Sequence, residues 1–235
     1  ISSSEQDEAD YIVQQIQEGV ASGRKYSDFA VLYRMNSQSN TLERVFTKSG
    51  VPHRVLGGLR FFDRREIRDM IAYLSVVSNP NDQTRLLRII NVPKRSIGEK
   101  TVEQAAGIAE GVGEPLFYVL EHADEFAPLA RTAPKLKAFA AVIRSLSEQA
   151  SEETDLGGLY DSLLEKTGYL EALAASGEED AKDRMDNVME LKSNLIRYQE
   201  ENGEEAVLAG YLEEVSLLTD IDNYDSSSDS VVMMT

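Results

Sequence analysis

Arg34 and Asn36 stand just beyond the apolar run Phe29-Ala30-Val31-Leu32-Tyr33. A guanidinium at a strand end can take a phosphate through a two-pronged pair of hydrogen bonds. A neighbouring amide can donate to a second phosphate oxygen or to a base edge. A second group lies in Asn91-Val92-Pro93-Lys94-Arg95-Ser96-Ile97-Gly98-Glu99-Lys100-Thr101. A tight turn ahead of a helix presents backbone N–H groups and the positive end of the helix dipole to a phosphate. Lys94, Arg95 and Lys100 add three cations there, and the Ser96 hydroxyl adds a donor. Between the two groups, Gly57-Gly58 interrupts the chain with two residues of wide backbone freedom. Each group also has a plainer reading. Arg34 could pair with Asp28 or Glu43 on the surface, and the basic turn could simply join two helices.

Other chemistries are excluded. No Gly-x-x-x-x-Gly-Lys-Ser/Thr loop is present to cradle phosphates. No apolar strand ends in an Asp-Glu pair that could hold Mg²⁺ and orient water, so the chain alone is not expected to hydrolyse ATP. The absence of cysteine removes disulfides and thiolate metal sites. His53 and His122, far apart in the sequence, do not suggest a metal site. Nothing resembles a nucleophile elbow.

The 235 residues carry a net charge of −17, which by itself argues against nucleic acid. The charge is unevenly spread. Arg54 to Glu103 holds 10 Lys/Arg against 6 Asp/Glu, whereas Glu152 to Asp229 holds 5 against 22. A basic stretch beside an acidic one suggests one face for nucleic acid. No apolar run approaches the roughly 20 residues that span a bilayer, and no leader is read at the start. No membrane partner and a cytoplasmic location are the expectations.

Two different periodicities position these residues. Tyr11, Ile12, Ile16 and Val20 predict a helix over 5–20 that ends near Gly23. Phe29–Tyr33 reads as a buried strand, Ser37–Lys48 as a helix capped by Ser37 or Ser39, and Val51–Leu56 as a second strand. After Gly58 the pattern becomes wholly helical. Asp63 is a candidate N-cap for a stripe of Ile67, Met70, Ile71, Leu74 and Val77. Helices are predicted over 82–90, 100–110, 115–122, 134–150, 156–166, 179–200 and 204–218, with no strand between Phe61 and Leu218. Asp220–Ser230 is polar and aperiodic, and Val231–Thr235 reads as a further buried strand. The fold class is therefore α/β plus all-α, with an α/β domain that leaves at Gly57-Gly58, hosts a helical insertion and returns at Val231.

Phe29 to Ser39 resembles motif IV of the UvrD/PcrA/Rep helicases of superfamily 1. Gly57-Gly58-Leu59-Arg60-Phe61-Phe62-Asp63-Arg64-Arg65-Glu66-Ile67-Arg68-Asp69 resembles the motif that follows it. The 91–101 segment resembles the family's Gly-Ile-Gly turn, with Ser96 where the family usually has Gly. Arg184 and Asn187 to Leu191 resemble a structural helix of the family. The resemblance implies a partial RecA-like parallel-sheet domain, called 2A, over 1–60. It implies a helical 2B insertion over 61–222, and a linker with the returning 2A strand over 223–235.

The resemblance also implies a parent that uses ATP and Mg²⁺ to move 3′→5′ on single-stranded DNA and to unwind duplex in repair and replication. No cofactor is expected for the segment alone. Arg34 and Asn36 would face the nucleotide or single-stranded DNA cleft. Gly57 and Gly58 would form a hinge. Lys94, Arg95, Ser96, Ile97, Gly98, Lys100 and Thr101 would grip duplex backbone. The implied partners are single-stranded DNA, a duplex junction and the remaining helicase core domains. Two other readings stay open, a module docking a basic protein partner and the motor part of a RecB/AddA-type helicase–nuclease.

Overall fold

The structure, a computed structural model, describes residues 5–34, 38–56, 60–152, 155–221 and 229–234. Asn36, Gly57, Gly58, the Ser37 cap and most of the 220–230 loop, all singled out above, lie outside these residues. The chain forms two compact units, one of residues 1–67 and 213–235, the other of residues 68–212. It passes between them twice, inside a helix each time.

The first unit opens with α1 (Glu5–Ala21), β1 (Ala30–Leu32), α2 (Ser39–Lys48) and β2 (His53–Leu56), and ends with β3 (Val231–Met234). The strands are parallel in the order β1-β3-β2, so the last strand in sequence is the central one. Val31 lies beside Met233 in one register and Val55 beside Met233 in the other. Ala9, Val13 and Ile16 of α1 and Leu42, Val45 and Phe46 of α2 pack with Val51, Val231 and Met233 in one apolar cluster. These positions explain the elements. The 3.6-residue period buries one stripe of α1, whereas the first eight residues of α2 are buried on every side, and the two-residue period sends Val231 and Met233 to the same face.

The continuous apolar run over 29–33 suggests a strand covered on both sides. In the structure it alternates. Val31 packs on the cluster, whereas Leu32 is 74% exposed. The run is apolar on both faces, but α1 and α2 cover only one of them.

Asp229 fixes the entry to β3. Its carboxylate accepts the Ser27 N–H at 2.7 Å and the Tyr26 N–H at 3.1 Å. Hydrogen bonding by Ser27 first, then by Tyr26, with the charge of Lys25, holds this carboxyl below its ordinary range against a small desolvation cost. A depressed folded-state pKa gives stabilisation that is fully present above the ordinary value and is lost as pH falls through the folded value. The Tyr26 and Ser27 amide resonances should therefore stay constant above about pH 5 and shift below about pH 4. An NMR pH titration checks this, and Asp229→Asn should abolish the shift.

The second unit is helical throughout its described residues. It takes most of α3 (Arg65–Ser78), then α4 (Gln83–Ile89), α5 (Glu99–Val112), α6 (Leu116–Glu121), α7 (Ala133–Glu152), α8 (Leu156–Thr167), α9 (Tyr169–Ala174), α10 (Ala181–Asn202) and the start of α11 (Leu208–Ile221). Helix α5 packs on α6, α6 on α7, α7 on α8, and α8 on α10. Met70, Leu74 and Val77 of α3 are fully or almost fully buried, as their spacing predicts, whereas Ile71 of the same stripe is half-buried and Tyr73, outside it, is fully buried. Asp69 is buried too, and accepts from Arg88 Nε at 2.8 Å and from the Tyr169 hydroxyl at 3.0 Å. That hydroxyl belongs to α9, a short helix that periodicity alone does not suggest.

Two helix starts differ from expectation. Asp63 does not cap α3. Phe61–Asp63 forms a single tight turn, and the Asp63 carboxylate takes Arg60 Nε at 3.0 Å. Ser39 lies inside α2 as its first residue, with Gln38 at the cap position. Asp82, by contrast, caps α4 and accepts the Arg85 N–H at 3.0 Å.

Candidate functional site

The two groups of candidate residues fall in different units. Arg34 belongs to the first. Tyr33, just beyond β1, donates its N–H to Met234 O at 3.0 Å, which fixes the strand end. Arg34 follows at once and is exposed. Its backbone N–H donates to Gln38 Oε1 at 3.0 Å. The side chain makes no ion pair among the described residues, so neither Asp28 nor Glu43 holds it. This is the arrangement of a cation open to an anionic ligand, at the C-terminal edge of a parallel sheet where such ligands bind.

Beside Tyr33 lies a buried polar cluster. Arg64 is 8% exposed, Glu43 8%, Glu66 4% and Ser39 0%. Arg64 Nη2 donates to Ser39 Oγ at 2.9 Å, and the Phe61 N–H donates to Glu43 Oε2 at 3.1 Å. Burial pulls the Arg64 guanidinium below its ordinary value, while Glu43, Glu66 and Tyr33 push it back up. Burial also raises the Tyr33 phenol, with Glu43 adding to the effect.

The second group lies where α4 gives way to α5. Asn91 Oδ1 accepts the Arg95 N–H at 2.8 Å and the Ile97 N–H at 3.4 Å, closing the turn on one side chain. Val92-Pro93 is a cis peptide, and Ser96 has φ +56°. Left-handed backbone costs an L residue roughly 1–2 kcal/mol. Ser96 therefore adopts a conformation that glycine would take freely. Gly98 sits at the cap position of α5 and leads into a helix of 14 residues. The first N–H groups of such a helix lack intrahelical partners and face outward.

Arg95 behaves unlike its neighbours. The sequence places it on duplex phosphate, but its guanidinium turns inward. Nη1 donates to the carbonyls of Ile89 at 3.0 Å, Pro93 at 3.2 Å and Ile90 at 3.4 Å. Nη2 donates to the Tyr73 hydroxyl at 2.6 Å, and that hydroxyl donates on to Val92 O. Burial raises the Tyr73 phenol, which keeps this proton in place. The Arg95 cation also lies 5.0 Å from the centre of the Phe139 ring. Ile97 is likewise buried, at 2% exposure.

Arg95 thus ties the turn to the helical core. Arg95→Ala should remove the side-chain donor from the carbonyls of Ile90 and Pro93, while Ile89 O keeps the Val92 N–H, at a cost of about 3 kcal/mol. Amide exchange across 89–101 should then quicken by about 100-fold. Unchanged protection would show that the turn holds itself.

The cations left outward are Lys94 and Lys100, both exposed and without an ion pair among the described residues. A third joins them from α7. Lys135 donates from Nζ to Ser96 O at 3.2 Å and is itself exposed. Sequence reasoning missed it because it lies 39 residues from Ser96. No local pattern announces that pairing. The turn therefore combines Lys94, Lys100 and Lys135 with the N-terminus of α5, cations and N–H donors of the kind that take backbone phosphate.

No cluster of His, Cys, Asp or Glu among the described residues is placed to hold a metal ion. No helix among them is long and apolar enough to cross a membrane. Among the described residues none forms a seat for Mg²⁺, while the exposed Arg34 guanidinium has the chemistry to take a phosphate edge.

A sequence profile of the UvrD-like helicase C-terminal domain matches residues 2–235. Among curated proteins, the chain is 36% identical over 233 residues to the ATP-dependent DNA helicase PcrA of Staphylococcus epidermidis. It is equally similar to the PcrA of Staphylococcus aureus. These alignments take in 99% of this chain and 32% of each relative, so the chain spans about a third of the length of the relatives it matches.

Proposed function

The chain belongs to the UvrD-like helicase C-terminal domain family, and from that premise we propose that it is the segment of a DNA helicase that grips duplex backbone and supplies one wall of the motor. In this reading the first unit is part of the RecA-like domain 2A and the second is the 2B insertion, which swings about Gly57-Gly58. The parent couples ATP hydrolysis, with Mg²⁺ held by its other core domain, to 3′→5′ movement on single-stranded DNA. When bound, ATP supplies the free energy of translocation. Arg34, with Asn36 nearby in sequence, binds and orients a phosphate at the rim of the sheet.

The observation that carries the duplex grip is the convergence of Lys94, Lys100 and Lys135 on the N-terminus of α5, in a chain whose net charge is −17. Fluorescence anisotropy with a tailed duplex, across a salt series, tests it. Binding should weaken steeply with salt. Affinity that ignores salt would remove the electrostatic grip.

One feature favours a second reading, a docking surface for a basic protein. A groove of about 710 Å³ along α8 and α10 is lined by Asp155, Asp161, Glu200 and Glu204, with Lys192 the one cation in its lining. Salt-sensitive capture of a basic peptide, with no duplex binding at low salt, would favour that reading.

A further inference from the structure

We propose that Arg64 is a positioning residue for the loop that carries Arg34. The proposal rests on the phosphate-binding reading of Arg34 and adds a device that aims it.

The backbone of Arg34 is held from two sides. On one side the Tyr33 N–H donates to Met234 O at 3.0 Å, so the end of β1 is fixed by the central strand. On the other side stands Gln38, at the cap position of α2, whose Oε1 accepts the Arg34 N–H at 3.0 Å. The next residue, Ser39, accepts from Arg64 Nη2 at 2.9 Å. One helical turn later Glu43 accepts the Phe61 N–H at 3.1 Å. Ser39 and Glu43 of α2 are therefore each tied to the 61–64 segment, Ser39 by the Arg64 side chain and Glu43 by the Phe61 backbone. Displacing Arg64 removes the tie at Ser39, the residue next to Gln38, whose side chain holds the backbone of Arg34.

The location of these charges supports a geometric role. Arg64, Glu43 and Glu66 are each less than one-tenth exposed. Burying charge is costly, and apolar replacements of buried ion pairs are often neutral or stabilising, so such a cluster is weak evidence for stability. What it offers is a single permitted arrangement. The Arg64 cation also lies over the Phe61 ring, 5.5 Å from its centre, which restricts the guanidinium further. The guanidinium matters here, because a lysine ammonium would not keep the same donor geometry at Ser39 Oγ beside the Glu43 and Glu66 charges.

The test uses the intact parent polypeptide and reads kcat and KM of DNA-stimulated ATP hydrolysis, with duplex affinity alongside. Arg64→Ala should lower kcat by about tenfold or more, because misplacing a charged group by about 1 Å can cost up to 100-fold. Arg64→Lys should recover only part of the loss. Duplex affinity should stay within about twofold, since the α5 turn is untouched. The deciding comparison is the double variant. If Arg64 acts through Arg34, adding Arg64→Ala to Arg34→Ala should change kcat by less than about twofold, because no guanidinium is left to aim.

Effects that multiply in the double variant would overturn the proposal, as would an Arg64→Ala enzyme with lowered thermal stability and undiminished kcat. Should Arg64→Ala fail to fold, Ser39→Ala removes one bond while keeping the buried charges, and the same comparison with Arg34→Ala decides. An Arg34→Ala enzyme with unchanged hydrolysis and unchanged affinity for single-stranded DNA would refute the reading of Arg34 itself, and this inference with it.

Discussion

Replacing Arg34 by alanine in the intact parent polypeptide lowers DNA-stimulated ATP hydrolysis by about 100-fold or more. The expectation follows from where the guanidinium stands. It is exposed, directly beyond a strand end fixed by the Tyr33 to Met234 hydrogen bond, and it makes no ion pair among the described residues. A charge-assisted hydrogen bond to a bound phosphate is worth about 1.5–3 kcal/mol. It is worth more when aimed at charge that develops during reaction in a site closed to water. Arg34→Lys should restore only part of the rate, because lysine keeps the charge and loses the two-pronged geometry. The kinetic constants then separate two ligands. A fall in kcat with unchanged half-saturating DNA assigns the side chain to the nucleotide. A rise in half-saturating single-stranded DNA assigns it to the DNA track. Wild-type kinetics in both would mean that Arg34 is a surface residue and nothing more.

The second large effect is on duplex binding. Reversing Lys94, Lys100 and Lys135 together to glutamate should weaken affinity for a tailed duplex by about 100-fold at low salt. It should also flatten the plot of log affinity against log salt by about 2.7, or about 0.9 for each phosphate that is no longer neutralised. The slope is the more telling quantity. A general rise in negative charge lowers affinity without unseating any one cation, whereas removal of three seated cations changes the number of counterions released. Lys135 is the discriminating position. Lys135→Glu alone should flatten the slope by about 0.9. If it leaves the slope unchanged while the reversals of Lys94 and Lys100 alter it, the grip is confined to the turn. Arg95 is not part of this set, since its guanidinium is occupied by the carbonyls of Ile89, Ile90 and Pro93.

The contrast between Arg95 and Lys135 shows where sequence reasoning stops. Helices with a single apolar stripe are legible because their period is local, as in Met70, Leu74 and Val77 of α3. The turn at 91–98 is legible from Pro93 and Gly98. Whether a cation in that turn faces solvent is not, because the answer lies in distant partners. Arg95 is drawn inward by Tyr73 and Phe139, which stand 22 and 44 residues away in the chain. Lys135 is brought in by the packing of the helices between it and the turn. The buried cluster of Glu43, Arg64 and Glu66 is hidden for a related reason. Adjacent charges of both signs read as a solvated surface, and only the fold shows that these are enclosed. The apolar run at 29–33 is legible as a strand, while the exposure of Leu32 depends on what covers the sheet, which no period encodes.

The order β1-β3-β2 has a consequence for how this polypeptide is made. Of these three strands the central one is made last, about 175 residues after β2. At about 5–20 residues per second, β1 and β2 wait on the order of ten seconds or more without the strand that joins them. The helical unit over 68–212 is contiguous, and its contacts need no later residue. Helical contacts close quickly, whereas pairing strands across a long loop is slow. The insertion should thus be complete while its host is still in two pieces, and each molecule assembles its sheet around a guest that has already folded.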